Sequence, residues 1–130
     1  MKVIIAGSRE IKDIQIVLEA IKQSGFTNDI TQVISGKCKK GVDTLGEKFA
    51  ELAGLPVKPF PADWNKYGRG AGFVRNLEMA DYADALIAVW DGESHGTKDM
   101  IDRAKAKGLK VYIHLVTGEE HGENYRAEGL

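Results

Sequence analysis

Three clusters of glycine, hydroxyl and charged residues are spaced along the chain. They are Gly7-Ser8-Arg9, Ser35-Gly36 through Gly41-Val42-Asp43, and Asp91-Gly92-Glu93-Ser94-His95-Gly96-Thr97. Each residue type suits an anion. Glycine lets backbone N–H groups approach a ligand closely. Ser8, Ser94 and Thr97 supply hydroxyl donors, and Arg9 and Arg75 can grip a phosphate in bidentate fashion. A helix opening at such a loop adds free N–H groups and a favourable dipole. Any one cluster alone reads as ordinary turn and cap residues. Three together point to a ligand. None matches a Walker A pattern, and the first lacks the full G-x-G-x-x-G fingerprint, which argues against an ordinary NAD dehydrogenase.

Other residues are candidates of a second kind. Asp43 and Glu47 stand one helical turn apart and share a face. They can bind ribose hydroxyls or act as a base, and acidic residues also simply suit a helix start. Trp64 and Tyr67 can stack on a base or pack their loop onto the domain. His95, His114 and His121 have no ligand-like spacing, so neither a metal nor a cofactor is expected. Cys38 has no evident catalytic partner.

The elements that must hold these groups follow from apolar periodicity. A strand at Val3–Ala6 precedes a helical stripe of Ile11, Ile14, Leu18 and Ile21, closed by Gly25. Val33-Ile34 begins a second unit, with Val42, Leu45, Phe49 and Leu52 in its helix and Gly54 at its end. A short proline-marked strand near Val57–Phe60 belongs at a sheet edge. After an irregular loop over 61–70 come a helix from about Gly72 to Tyr82 and a strand at Ala85–Trp90. A helix opened by Gly96-Thr97 carries Met100, Ile101 and Ala104 on one face, and Val111–Val116 is the fifth strand. The pattern predicts one α/β domain over residues 1–116, followed by a polar tail over 117–130. The domain is Rossmann-like, with a five-stranded, mainly parallel sheet and helices on both faces. In such a sheet every strand-to-helix loop emerges on one edge, where ligands bind. The three clusters fall in those loops.

Bulk properties narrow the function. The chain has 130 residues, 43% of them hydrophobic, enough for one core. Eighteen basic and 19 acidic residues give a net charge of −1, which argues against nucleic acid as a partner. One cysteine allows no internal disulfide and suits a reducing cytoplasm. The apolar run at the N-terminus is too short for a signal segment or a membrane span. The expectation is a cytoplasmic protein with no membrane contact.

The segment GFVRNLEMADYADALIAVWDGESHGTKDMIDRA resembles the signature of the SLOG superfamily, named for the Smf/DprA and Lonely Guy proteins. Arg75-Asn76, Met79 and Ala83-Asp84 match its first part, and Gly92, Gly96 and Thr97 its second. VIIAGSR, SGKCKKGVDTLGE and FPADW resemble the YspA-like, cpYpsA-related branch. The resemblance spans about residues 1–116. It implies a Rossmann-like fold and a nucleotide-derived ligand. Some members hydrolyse the N-glycosidic bond of a nucleoside monophosphate, and others sense nucleotide signals. It also implies a homo-oligomer, because relatives often build sites near a dimer interface.

By the same resemblance, phosphate cradling falls to Gly92, Gly96 and Thr97, and the catalytic arginine role to Arg75. One position departs. The catalytic glutamate of the Lonely Guy pattern falls at Met100, whose thioether cannot do a carboxylate's work. Asp99 is rotated about 100° around the helix and is no simple substitute. Any hydrolysis would need Asp43, Glu47 or Asp91 beside Arg75. The expected ligand-binding residues are Gly7, Ser8, Arg9, Ser35, Gly36 and Trp64, with Asn76, Gly92, Ser94, Gly96 and Thr97. The expected function is binding or sensing of a nucleoside monophosphate or an ADP-ribose-like ligand. N-glycoside hydrolysis is the alternative, and single-stranded DNA binding a third reading that the charge disfavours.

Overall fold

Strands β1 (Lys2–Gly7) and β4 (Ala85–Trp90) are apolar without interruption and form the centre of the sheet. They pair in parallel, from Val3 opposite Ala85 to Gly7 opposite Val89. Successive side chains on a strand point to opposite faces, so both faces must be covered. Val3 and Ile5 join one buried cluster, while Ile4 and Ala6 join the other.

Helices α1 (Ile14–Ser24) and α2 (Val42–Ala53) cover the first face. Helices α4 (Ala71–Tyr82) and α5 (His95–Ala106) cover the second. Local chemistry sets their ends. The Asp13 carboxylate accepts the Gln15 N–H at 2.9 Å and starts α1, and Gly25, at φ 80°, stops it. Arg103 and Lys105 sit in the last turn of α5, where the helix dipole favours cations.

The remaining strands are β2 (Gln32–Ser35), β3 (Val57–Pro59), β5 (Lys110–Leu115) and β6 (Arg126–Gly129). The strand order is β3-β2-β1-β4-β5-β6. β3 lies at the edge, as its proline requires. The computed structural model describes residues 1–116 and the backbone of 126–129. The α/β architecture expected from periodicity is present, with five parallel strands. One feature differs. The sheet has a sixth strand, because Arg126–Gly129 adds antiparallel to β5. Its Arg-Ala-Glu-Gly sequence has no apolar alternation and little β-propensity, so it reads as tail. Backbone pairing along the edge of β5 makes it a strand.

The loop over 61–70 is also more ordered than its lack of period suggests. It contains a short helix, α3 (Trp64–Tyr67), and a 3-10 turn at Gly68–Gly70. No helix among the described residues is long and apolar enough to cross a membrane.

Gly7 closes the central strand pair. A Cβ built there would lie inside contact distance of the Val89 carbonyl oxygen and 2.8 Å from Val42 Cγ2. The backbone oxygen cannot swing away as a side chain can. Gly7→Ala therefore forces the ends of β1 and β4 apart. It is expected to lower the free energy of unfolding by about 1–3 kcal/mol or more, as overpacking does. Urea denaturation followed by circular dichroism measures this, and unchanged stability would refute the steric argument.

Candidate functional site

The strand order reverses direction between β1 and β4. Chain leaving β1 moves to one side of the sheet, and chain leaving β4 moves to the other. A crevice must open between them at the C-terminal edge. A cleft of about 440 Å³ lies there.

Its floor is built from hydroxyls. Ser8 is buried and its Oγ accepts the Asp91 N–H at 3.2 Å. The same oxygen lies 3.2 Å from Ser94 Oγ, and Ser94 Oγ donates to Thr97 Oγ1 at 3.0 Å. A chain of three hydroxyls thus runs from the β1 loop into the first turn of α5. Asp91 shapes the second loop. Its Oδ1 accepts the N–H groups of Glu93 at 2.9 Å and Ser94 at 2.8 Å. Trp90 Nε1 ties the loop down through the Ser94 carbonyl at 3.1 Å. Partial burial works to raise the pKa of Asp91, but the N–H groups of Ser94 and Glu93 and the Ser8 and Ser94 hydroxyls outweigh it, so the carboxyl titrates below its ordinary value. α5 has no acidic residue in its first turn, and Gly96 and Thr97 line the cleft there. The helix start itself carries no carboxylate, and the nearest one, Asp91, is engaged by the N–H groups of Glu93 and Ser94 just before it.

The opposite side carries the charged groups. Asp43, in the first turn of α2, is 8% exposed, and its Oδ2 accepts the Cys38 N–H at 3.0 Å. Arg75 reaches over from α4. Its Nη1 donates to the Gly36 carbonyl and its Nε to Asn76 Oδ1 at 3.0 Å. Both charged groups crowd Gly36: a Cβ there would lie 2.6 Å from Arg75 Nη1 and 3.0 Å from Asp43 Oδ2. Burial is the largest influence on Asp43 and raises its pKa, although the Cys38 N–H and the Arg75 charge oppose it.

Asn76 links the two helices on this face. Its Nδ2 donates to the Gly96 carbonyl at 3.2 Å and to Asp99 Oδ2 at 3.0 Å. Arg103 Nε holds the same Asp99 oxygen at 2.9 Å. Met100, where the Lonely Guy pattern has glutamate, is buried and lines the cleft with Met79. That position gives the cleft an apolar surface.

The cleft thus gathers Gly7, Ser8, Arg9, Asp43, Trp64, Arg75, Asn76, Asp91, Ser94, Gly96 and Thr97. Four expected residues are not among its lining. Ser35 Oγ donates to Glu47 Oε2 at 2.6 Å, and Lys37 Nζ takes Glu47 Oε1 at 2.9 Å. Gly36 contributes its carbonyl to Arg75, and Gly92, at φ 82°, makes the turn behind the floor. The lining also includes Arg69, Gly72 and Phe73, which periodicity did not single out. The Gly-Arg-Gly run at 68–70 is the signal that marks Arg69, whereas an apolar Phe73 inside a helix carries none that separates a cleft wall from a core. Among the described residues, no group of three or more His, Cys, Asp or Glu side chains could hold a metal ion.

A family model described as "YAcAr: YspA, cpYpsA-related SLOG family" matches residues 1–67. The chain belongs to this SLOG family. The matched region runs from β1 through α3 and includes Ser8, Asp43 and Trp64. The chain is also similar to the Gene 61 protein of Mycobacterium phage D29, with 31% identity over 116 residues, covering 85% of this chain and 93% of that protein. No solved structure matches.

The raised pKa of Asp43 has a consequence for stability. A carboxyl whose pKa rises on folding contributes fully below its ordinary value of 3.8, and the contribution is lost as pH rises through the folded value. Asp43→Asn is neutral throughout and keeps an acceptor for the Cys38 N–H. It is expected to raise Tm by a few degrees at pH 7, with the gain shrinking as pH falls toward 3.8. Thermal denaturation across pH checks this, and a Tm lowered at pH 7 would show that the Arg75 pairing dominates instead.

Proposed function

We propose that this SLOG chain binds a phosphorylated, nucleotide-derived ligand, a nucleoside monophosphate or an ADP-ribose-like molecule, and serves as a binding or sensing domain. The observation that carries the reading is the hydroxyl chain Ser8–Ser94–Thr97 at the open N-terminus of α5. Tetrahedral phosphate needs several donors converging from different directions, and a helix start with neighbouring hydroxyls supplies them. Arg9 extends the positive surface at the cleft mouth, and Asn76 fixes the loop–helix junction through the Gly96 carbonyl. Such a ligand suits a cytoplasmic protein. Family likeness favours a homo-oligomer, and the balanced charge disfavours nucleic acid.

A second reading, N-glycoside hydrolysis, is favoured by Asp43. A buried carboxyl facing a cleft beside an arginine is a common setting for catalysis. Here the glutamate missing at position 100 would be replaced by a carboxylate from α2. Asp43 would stabilise positive charge at C1′ while water adds there, the base departs with the C1′–N bonding electrons, and the proton lost by the water ends on the departing base nitrogen. Arg75 would hold the phosphate or polarise the ribose. The alternatives are weaker, since Glu47 is tied to Ser35 and Lys37, and Asp91 organises its own loop.

Isothermal titration against nucleoside monophosphates, NAD and ADP-ribose tests the binding reading. The double variant Ser94→Ala/Thr97→Val is expected to weaken binding about tenfold or more, the effect of lost hydrogen bonds to a charged group. No binding across the panel would overturn it. For turnover, ribose 5-phosphate should appear on long incubation and disappear in both Arg75→Ala and Asp43→Asn. Intact nucleotide at high protein concentration would leave binding alone as the function.

A further inference from the structure

Trp64 and Phe73 are 56% and 46% exposed, yet both line the cleft whose far side is polar. A single exposed aromatic is ordinary on a protein surface. Two that converge on one cavity from separate helices form an apolar wall with no protein partner on its open side. Trp64 stands in α3, whose start is capped by the Asp63 carboxylate on the Lys66 N–H at 3.1 Å. Phe73 is in the first turn of α4. Gly72 lies between them in the lining. A Cβ built at Gly72 would be 3.9 Å from Trp64 Cη2 and 3.7 Å from Arg75 Nη2. The indole edge therefore reaches the start of α4 beside the guanidinium that leans over Gly36. Aromatic wall and charged interior are continuous within one cleft.

We propose that this wall seats the base of the ligand by stacking, and that it selects purines over pyrimidines. The inference rests on the phosphate-binding reading above and adds the identity of the ligand's other end. Arg69, on the 3-10 turn between α3 and α4, supplies a cation at the same wall, suited to a π face. Gly72 and Phe73 carry no polar side-chain group to read a base edge, Trp64 has only its indole N–H, and Arg69 is assigned to the ring face. Recognition that relies on faces follows ring area, so adenine and guanine should be held alike and cytosine less well.

The test is calorimetric titration of the full chain with AMP, GMP, CMP and ribose 5-phosphate. AMP and GMP should bind within about threefold of each other. Ribose 5-phosphate, which has no base, should bind about tenfold or more weakly than AMP, with CMP between them. Trp64→Ala should reduce AMP affinity by about tenfold or more and affect ribose 5-phosphate far less, while Trp64→Phe recovers most of the loss. Phe73→Ala should act in the same direction. Circular dichroism establishes that each variant is folded.

Equal affinity for AMP and ribose 5-phosphate would overturn the base seat while leaving the phosphate site standing. So would a loss in Trp64→Ala that is the same for both ligands. A change in sedimentation without a change in base preference would also overturn it, and would make the wall an interface between copies of the chain. Failure of all four ligands to bind would remove the phosphate-binding reading, and this proposal with it.

Discussion

The close approach of the β1 and β4 backbones at their C-terminal ends is the constraint on which the site depends. Gly7 sits opposite Val89 in the parallel register, with no room for a side chain between them. The Ser8 N–H continues the pairing to the Val89 carbonyl at 3.1 Å. Only after that bond do the two chains diverge, one toward α1 and the other toward α5. Ser8 is consequently held beside the Asp91 N–H and the Ser94 hydroxyl. The same residue anchors a third segment, because its carbonyl accepts the Val42 N–H at 3.3 Å. The end of β4 with its following loop and the start of α2 are both tied to one serine, through its backbone and its hydroxyl, and the glycine before it permits the approach.

Electrostatics divides the cleft into two unlike sides. At the α5 side, backbone N–H groups and hydroxyls line the space, and the one carboxylate beside them, Asp91, is taken up by the N–H groups of its own loop. At the α2 side, a carboxyl is buried at a cost that a single N–H bond and a nearby arginine do not offset. Arg75 does not form a simple ion pair there. Two of its donors are directed to the Gly36 carbonyl and to Asn76. It therefore bridges β2's exit loop to α4 and acts on Asp43 mainly through its charge. Burial raises the pKa of Asp43, and that distinguishes it from Asp91, whose pKa its own loop N–H groups lower.

How much of this was legible in the sequence depends on the signal each residue carries. β1 and β4 announce themselves through uninterrupted apolar runs, and the glycine and hydroxyl clusters follow directly from topology once the strands are placed. Asp43 and Glu47 share a helix face, but a shared face does not give depth. Glu47 lies one turn farther from the helix start, about 6 Å along the axis, where Ser35 and Lys37 take both of its oxygens. Phe73 was illegible for the opposite reason. Its apolar side chain in a helix reads as core, and only the placement of α3 against the start of α4 shows that it faces the cleft. β6 carries no side-chain pattern, since an edge strand can be specified by backbone pairing alone.

The methionine at position 100 ties these points together. Asp99, its acidic neighbour, is held by Asn76 and Arg103. That link packs α5 against α4 and fixes the helix start where the hydroxyls converge. Freeing Asp99 for chemistry would loosen the same junction that orients Gly96 and Thr97. In this chain α5 therefore contributes position and N–H donors, and Met100 adds apolar surface beneath them. Under the hydrolytic reading a reacting carboxylate would have to come from elsewhere, and α2 is the element whose first turn enters the cleft with a buried acid. Ligand that engages both sides must then span from α5 to α2 across the line where β1 and β4 part. Affinity and turnover would be separable in such an arrangement, because the groups proposed to hold phosphate and the group that would act on the sugar belong to different helices.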